Sequence, residues 1–221
     1  MNKKQSITSL EGIEENANII IVGAGSTLKS FFEPINNYVN RRPSILIGVN
    51  YMTGYWIPSY HLWTNKQRYR DFGQHINETS MLLLKHDWTK SFIRKHHKGS
   101  YVSVDYVDRQ KTPVKYDSGK IYGCFRTAGV LAIMIAHIMK AKEISIVGMD
   151  GYTLHSQQEI GKKKKNQHCY GKGHTDDSTW EECVAKDKMV YESLRSLKDF
   201  GINFHILTPT VFKDFYTKGV L

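Results

Sequence analysis

The sequence predicts an α/β fold, a doubly wound and mostly parallel sheet in a single domain. Three observations point there. Asn18–Val22 is a continuous β-branched run, and Ser44–Val49 and Glu143–Val147 are further aliphatic-rich strand patterns; such runs mark strands buried on both faces of a parallel sheet. The first run ends in Gly23-Ala24-Gly25-Ser26 and leads into a helical pattern, a turn at which backbone N–H groups can meet an anion. Strand and helix patterns then alternate down the chain, as a parallel sheet with helical crossovers requires. The arrangement is Rossmann-like.

The elements follow in order. Residues 1–17 are polar and predict a flexible N-terminal segment, with the folded domain at 18–221. After the strand at Asn18–Val22, a helix is expected from Thr27 to Tyr38. The strand at Ser44–Val49 ends at Asn50, and a short third strand is expected at Tyr60–Trp63. Met81–Leu84 and Tyr101–Asp105 are further strand candidates. Thr127–Lys140 is apolar all round, the mark of a buried helix. The segment 153–177 differs. It is polar, glycine-containing and carries Lys162–Lys165, and its length exceeds an ordinary connection, which predicts a lid. Thr179–Leu197 reads as a helix with apolar positions at Cys183, Val184, Val190, Leu194 and Leu197. Ile202–Leu207 is the last expected strand, followed by a short helix.

Composition narrows the class. The 221 residues are 40% hydrophobic and 24% charged, ordinary for a globular protein. The first residues, Met1-Asn-Lys-Lys-Gln, have no apolar stretch behind them, so no secretory leader is expected. The longest apolar run, Val130–Ala136, is too short to span a bilayer. Cys124, Cys169 and Cys183 have no metal-type spacing and cannot all pair, which points to a reducing cytoplasm. The net charge of +10 and pI near 9.4 favour an anionic partner: a phosphorylated substrate, an anionic inner membrane face, or nucleic acid. The basic residues are not interleaved with aromatics in a cluster, which ranks nucleic acid last.

The chemistry gathers at strand ends. In open α/β sheets ligands sit beyond the carboxyl ends of the strands. Gly23, Ala24, Gly25 and Ser26 lie there, yet Leu28 stands where a dinucleotide fingerprint needs its third glycine, and Asn50 stands where it needs an acid. A nicotinamide cofactor is therefore not expected. Asn50 has a carboxamide that can donate and accept, which suits a base or ribose as well as it suits a turn. Thr64 and Asn65 follow the third strand in the same way. Arg126-Thr127-Ala128-Gly129 opens the apolar helix with exposed N–H groups and a guanidinium, an anion site or simply close helix packing. Asp150 and Tyr152 end the strand at Glu143–Val147. Tyr170 and His174 stand in the lid, where His174 is the candidate general base and the two tyrosines candidate hydrogen-bond donors to a leaving phosphate. No metal site is expected: His155, His168, Cys169 and Cys183 match no standard zinc spacing. No Asp-x-Asp pair of the kind that holds a divalent ion under a sugar nucleotide occurs beside these strands.

The order of these motifs resembles the bacterial sialyltransferases of glycosyltransferase family 42, and more loosely other enzymes that use CMP-activated ulosonic acids. Gly23-Ala-Gly-Ser-Thr-Leu-Lys29 is similar to that family's Gly-Asn-Gly-Pro-Ser-Leu-Lys loop, and Asn50 and Thr64 or Asn65 stand where it has asparagines. Thr127-Ala-Gly129 is similar to its Thr-Ser-Gly helix start, and Val147–Tyr152 to its Ser-Gly-Ile-Asp-Phe-Tyr strand end. Tyr170-Gly-Lys-Gly-His174 with Leu207-Thr-Pro209 resembles its Tyr-x-Gly-His and Leu-x-Pro segments. The resemblance implies a GT-A-like variant of the fold and an inverting, metal-independent transfer with no cofactor beyond the CMP-sugar donor. It further implies a saccharide acceptor, His174 as base, and Tyr152 and Tyr170 at the departing phosphate. Three departures stand out. Ala24 and Ala128 replace an asparagine and a serine that contact the donor, and the tyrosine precedes the histidine by four residues instead of three.

The same strand–loop pattern resembles the domain related to 6-hydroxymethylpterin diphosphokinase, which also occurs in surface-polysaccharide gene clusters. That likeness implies an alternative, a pyrophosphoryl transfer needing magnesium and ATP. A non-enzymatic nucleotide-binding module is the third reading.

Overall fold

The computed structural model describes residues 4–154, 168–170 and 178–221. In chain order its elements are β1 (Lys4–Ser6), β2 (Asn18–Val22), α1 (Thr27–Ser30), α2 (Phe32–Arg41), β3 (Ile45–Val49), β4 (Tyr60–Trp63) and α3 (Lys66–Phe72). There follow β5 (Met81–Lys85), α4 (Lys90–Ile93), β6 (Tyr101–Asp108), β7 (Lys115–Asp117), β8 (Lys120–Gly123), α5 (Ala128–Ile138), β9 (Glu143–Val147), α6 (Trp180–Asp199) and β10 (His205–Ile206).

The strands form one sheet in the order β10-β9-β2-β3-β4-β5-β6-β8-β7, with β1 also pairing β6. All pairs are parallel except the β7–β8 hairpin. The doubly wound, mostly parallel fold expected from the sequence is the fold observed. Central β2 shows why its residues are all aliphatic: Ile19, Ile20, Ile21 and Val22 are at most 1% exposed, each such side chain stabilising by about 1.5–3 kcal/mol relative to exposure. Helix α5 is covered on every side, with Gly129–Ala136 and Ile138 all buried. It packs across β2, β3, β4 and β9 and against α6.

The topology locates the site. From β2 the chain steps outward through β3, β4, β5 and β6. Helix α5 then carries it back to β9, on the opposite side of β2. Neighbouring β2 and β9 therefore lead away in opposite directions, and the crevice between their carboxyl ends is the switch point where such sheets bind ligands.

Several expectations are corrected. The segment expected to be a flexible start carries β1, pairs with Tyr101–Ser103, and buries Ile7 and Leu10 in a single 3-10 turn. Its polar residues face outward while two aliphatics reach the core. The helix from Thr27 breaks at Phe31 into α1 and α2. The last strand shrinks to two residues, the short terminal helix is the 3-10 turn Lys213–Phe215, and the β7–β8 hairpin was not foreseen. Of the expected lid at 153–177, only 153–154 and 168–170 are among the described residues, and Lys162–Lys165 lie outside them. No described helix is long and apolar enough to cross a membrane.

Candidate functional site

A cavity of about 200 Å³ opens at the switch point. Four separate stretches of chain meet there: Gly23–Gly25 after β2, Asn50 after β3, Thr127–Gly129 at the start of α5, and Gly148–Tyr152 after β9. His168 closes one side, and Val49, Met149, Val190 and Phe212 supply apolar lining. A small, partly apolar concavity with convergent polar groups is the usual form of a small-molecule site.

The glycines after β2 are required by the neighbouring loop. Gly23 N–H donates to Val147 O at 2.8 Å and Gly25 N–H to Gly148 O at 2.9 Å. A Cβ on Gly23 would lie 2.4 Å from the Gly148 carbonyl oxygen, and one on Gly25 2.4 Å from the Asp150 carboxyl. The two loops thus touch backbone to backbone, which leaves their outer edges to border the cavity.

Asp150, expected at the ligand, lines the cavity but is only 4% exposed, and its carboxylate holds the Gly loop. Its Oδ2 accepts from Thr27 N at 2.9 Å and Ser26 Oγ at 3.1 Å, and its Oδ1 from the Thr27 hydroxyl. A carboxylate at the first turn of α1 satisfies donors that the helix leaves open. Ser26 is therefore drawn toward this brace and is not part of the lining.

Asn50 takes a left-handed conformation, φ +52°, which asparagine tolerates better than most residues. Its carbonyl accepts from His61 Nε2 at 2.5 Å, and its Oδ1 accepts from Thr64 N at 3.4 Å. Burial pushes His61 down to about 4, partly offset by its bond to Asn50, so this imidazole is neutral at physiological pH. Asn65 is committed elsewhere: it caps α3, its Oδ1 accepting from Arg68 N at 3.0 Å. Neither Thr64 nor Asn65 lines the cavity.

At the start of α5, Thr127 is the N-cap, accepting from Val130 N at 3.4 Å. Ala128 and Gly129 follow along the cavity wall, and a Cβ on Gly129 would meet Met149 Cε at 2.7 Å. The close-packing reading of this motif is what the geometry shows, and that packing sets the N-terminal end of α5 beside the cavity. Arg126 is exposed and outside the lining.

Tyr152 lines the cavity at the entrance to the expected lid. Asp187 of α6 holds it there: the carboxylate accepts from Tyr152 N at 2.7 Å, Thr153 N at 2.8 Å and Thr153 Oγ1 at 2.6 Å. Tyr170 does not line the cavity. It packs against Tyr51 and Phe72, ring centroids 5.5 and 5.1 Å away, with the Arg68 guanidinium 5.6 Å over its ring. Burial pushes its phenol up to about 12, against the pull of Arg68. His174 lies outside the described residues.

Two residues that sequence reasoning did not single out for a role belong to this region. Asp187 stands on the stripe Cys183, Asp187, Val190, Leu194, Leu197, all buried, and a lone acid on an apolar helical stripe was a legible signal. His168 carried no local signal. Its place is set by the bridge of its backbone to Gly25. Among the described residues no cluster of three or more His, Cys, Asp or Glu could hold a metal ion. A larger cavity, about 440 Å³, lies at the opposite ends of β4–β6. Its Tyr60 hydroxyl already donates to Glu14 Oε1 at 2.6 Å, and none of the strand-end motifs reaches it.

No family model and no curated protein matches the chain. Among solved structures, it is similar to the sialyltransferase CstII from Campylobacter jejuni in complex with a substrate analogue, cytidine-5'-monophosphate. The identity is 13%, the match covers 91% of this chain and 84% of that one, and the TM-score is 0.48. A likeness so slight carries no weight for function, which has to be read from the chain's own residues.

Proposed function

We propose that the chain is a glycosyltransferase that moves a sugar, an ulosonic acid, from a CMP-linked donor to a saccharide acceptor with inversion and without a metal. The observation that supports this reading is the convergence of four sequence-distant motifs, the Gly23–Gly25 loop, Asn50, Thr127–Gly129 and Asp150–Tyr152, on one cavity at the switch point. In this reading the α5 start and the Gly loop receive the nucleotide phosphate, and the Asn50 amide meets the base or ribose. The Tyr152 hydroxyl donates to the departing phosphate, and His174 takes the proton of the acceptor hydroxyl. Tyr170 acts differently from the donor role its motif suggests, packing against Tyr51, Phe72 and His168. Ala24 and Ala128 border the cavity with methyl groups, so contacts to the donor there are apolar.

A melting-temperature screen with CMP, CDP, UDP, GDP, ATP and NAD, each with and without magnesium, tests the reading, because a ligand selective for the native state raises the transition by mass action. Stabilisation by CMP without magnesium is expected. Stabilisation by ATP with magnesium alone sinks the reading in favour of pyrophosphoryl transfer. With a CMP-sugar donor, His174→Ala is expected to keep CMP affinity and lower turnover by about 100-fold or more; unchanged turnover removes His174 from the mechanism.

A further inference from the structure

We infer that His168 is a ligand-binding residue of the cleft, its imidazole pairing with the phosphate-bearing part of the bound molecule. This rests on the nucleotide reading above. The residue is held on three sides. Its backbone bridges Gly25 in antiparallel fashion, and the next residue, Cys169, donates its N–H to Ala24 O at 2.9 Å. The Cys169 side chain is 6% exposed, a buried peg under the Gly loop. The His168 ring stacks on Tyr170, centroids 4.8 Å apart and planes 12° from parallel. Tyr170 is in turn fixed by Tyr51, Phe72 and Arg68.

The result places His168, its ring fixed against Tyr170, on the wall of the cavity together with Gly25, Asn50 and the N-terminal end of α5. Among the described residues, the ionisable side chains that share the cavity lining with it include Asp150 and Tyr152, and Tyr170 stacks on its ring with Arg68 over that tyrosine. The Asp150 carboxylate is engaged by Ser26 and Thr27. Helix end and imidazole together make a setting for an anion, since the ring donates from one nitrogen when neutral and from both when charged. Tyr170 then acts as a positioning residue through His168.

The test pairs two variants with two probes. His168→Phe keeps the stack on Tyr170 and removes the ring nitrogens; His168→Gln keeps a donor without the charge. CMP and inorganic pyrophosphate are titrated by calorimetry into wild type and both variants, with histidine side-chain NMR on the wild type. The expected result is a loss of about tenfold or more in affinity for His168→Phe, partial recovery in His168→Gln, and movement of the His168 ring signals on binding. CMP binding that His168→Phe leaves unchanged overturns the inference and spares the nucleotide reading. Pyrophosphate binding that depends on His168, with no binding of CMP, upholds the anion role and sinks the nucleotide reading. Binding of neither probe overturns both.

Discussion

The hydrogen bonds of Asp187 allow the sharpest quantitative test of the architecture. This carboxylate is 8% exposed and accepts from two backbone amides and one hydroxyl at the mouth of the cleft. A hydrogen bond to a charged group contributes about 1.5–3 kcal/mol, so three sum to roughly 5–9 kcal/mol before solvent is considered. Tyr152 and Thr153 are only half-buried, and water can take up their donors once the carboxylate is gone. Discounting for that rehydration leaves about 2–4 kcal/mol for Asp187→Ala, within the range of a broken buried network. For a chain of this size that is roughly 5–15 °C in melting temperature. The assay is urea unfolding of Asp187→Ala and Asp187→Asn beside Lys188→Ala, an exposed neighbour on the same helix. Asp187→Asn should fall between wild type and Asp187→Ala, because it keeps one acceptor oxygen but turns an amide toward donors. If Asp187→Ala unfolds within about 0.5 kcal/mol of Lys188→Ala, the carboxylate does not hold the Tyr152–Thr153 turn and the reasoning is refuted.

Two further outcomes follow from burial. His61 titrates near 4 in the folded chain against 6.5 when unfolded. The unfolded state therefore binds more protons through this interval, and stability falls as pH drops from 6.5 toward 4, by about 3 kcal/mol for this group. His96 and His137 are lowered in the same direction. Urea midpoints at pH 7.5 and 5 should converge in His61→Gln, and an unchanged difference would remove His61 as the main source. Cys169 is pushed up to about 12 by burial, and Cys183 is buried, while Cys124 is partly exposed. A thiol reagent should accordingly modify one cysteine quickly in the native protein, with the other two following only in denaturant. Fast modification of Cys169 would show that the segment 168–170 is not seated under the Gly loop.

Much of the fold was legible in the chain because local periodicity encodes burial. Ile19–Val22 is wholly aliphatic, and Ile45–Val49 and Ile144–Val147 are aliphatic but for Gly48 and Ser145, because both faces of their strands are covered, and α5 lacks a polar face because it is buried all round. The candidate site was legible as a set of motifs at strand ends, since the fold class alone says where ligands bind. Short elements were not. β1, β7 and the two-residue β10 have no period of their own and exist because β6, β8 and β9 offer an edge.

By itself, then, the sequence determined the doubly wound class, the long strands and helices, and the four motifs that meet at the switch point. The tertiary structure alone decided what each polar group does there. Asp150 braces Thr27 across 123 positions of chain, Asn65 caps its own helix, Tyr170 packs into an aromatic cluster, and His168 reaches the cavity beside Gly25. Burial leaves its mark on local residue choice, whereas the partner of a carboxylate or an imidazole is set by strand order and loop approach, contacts between residues far apart that no local spacing records.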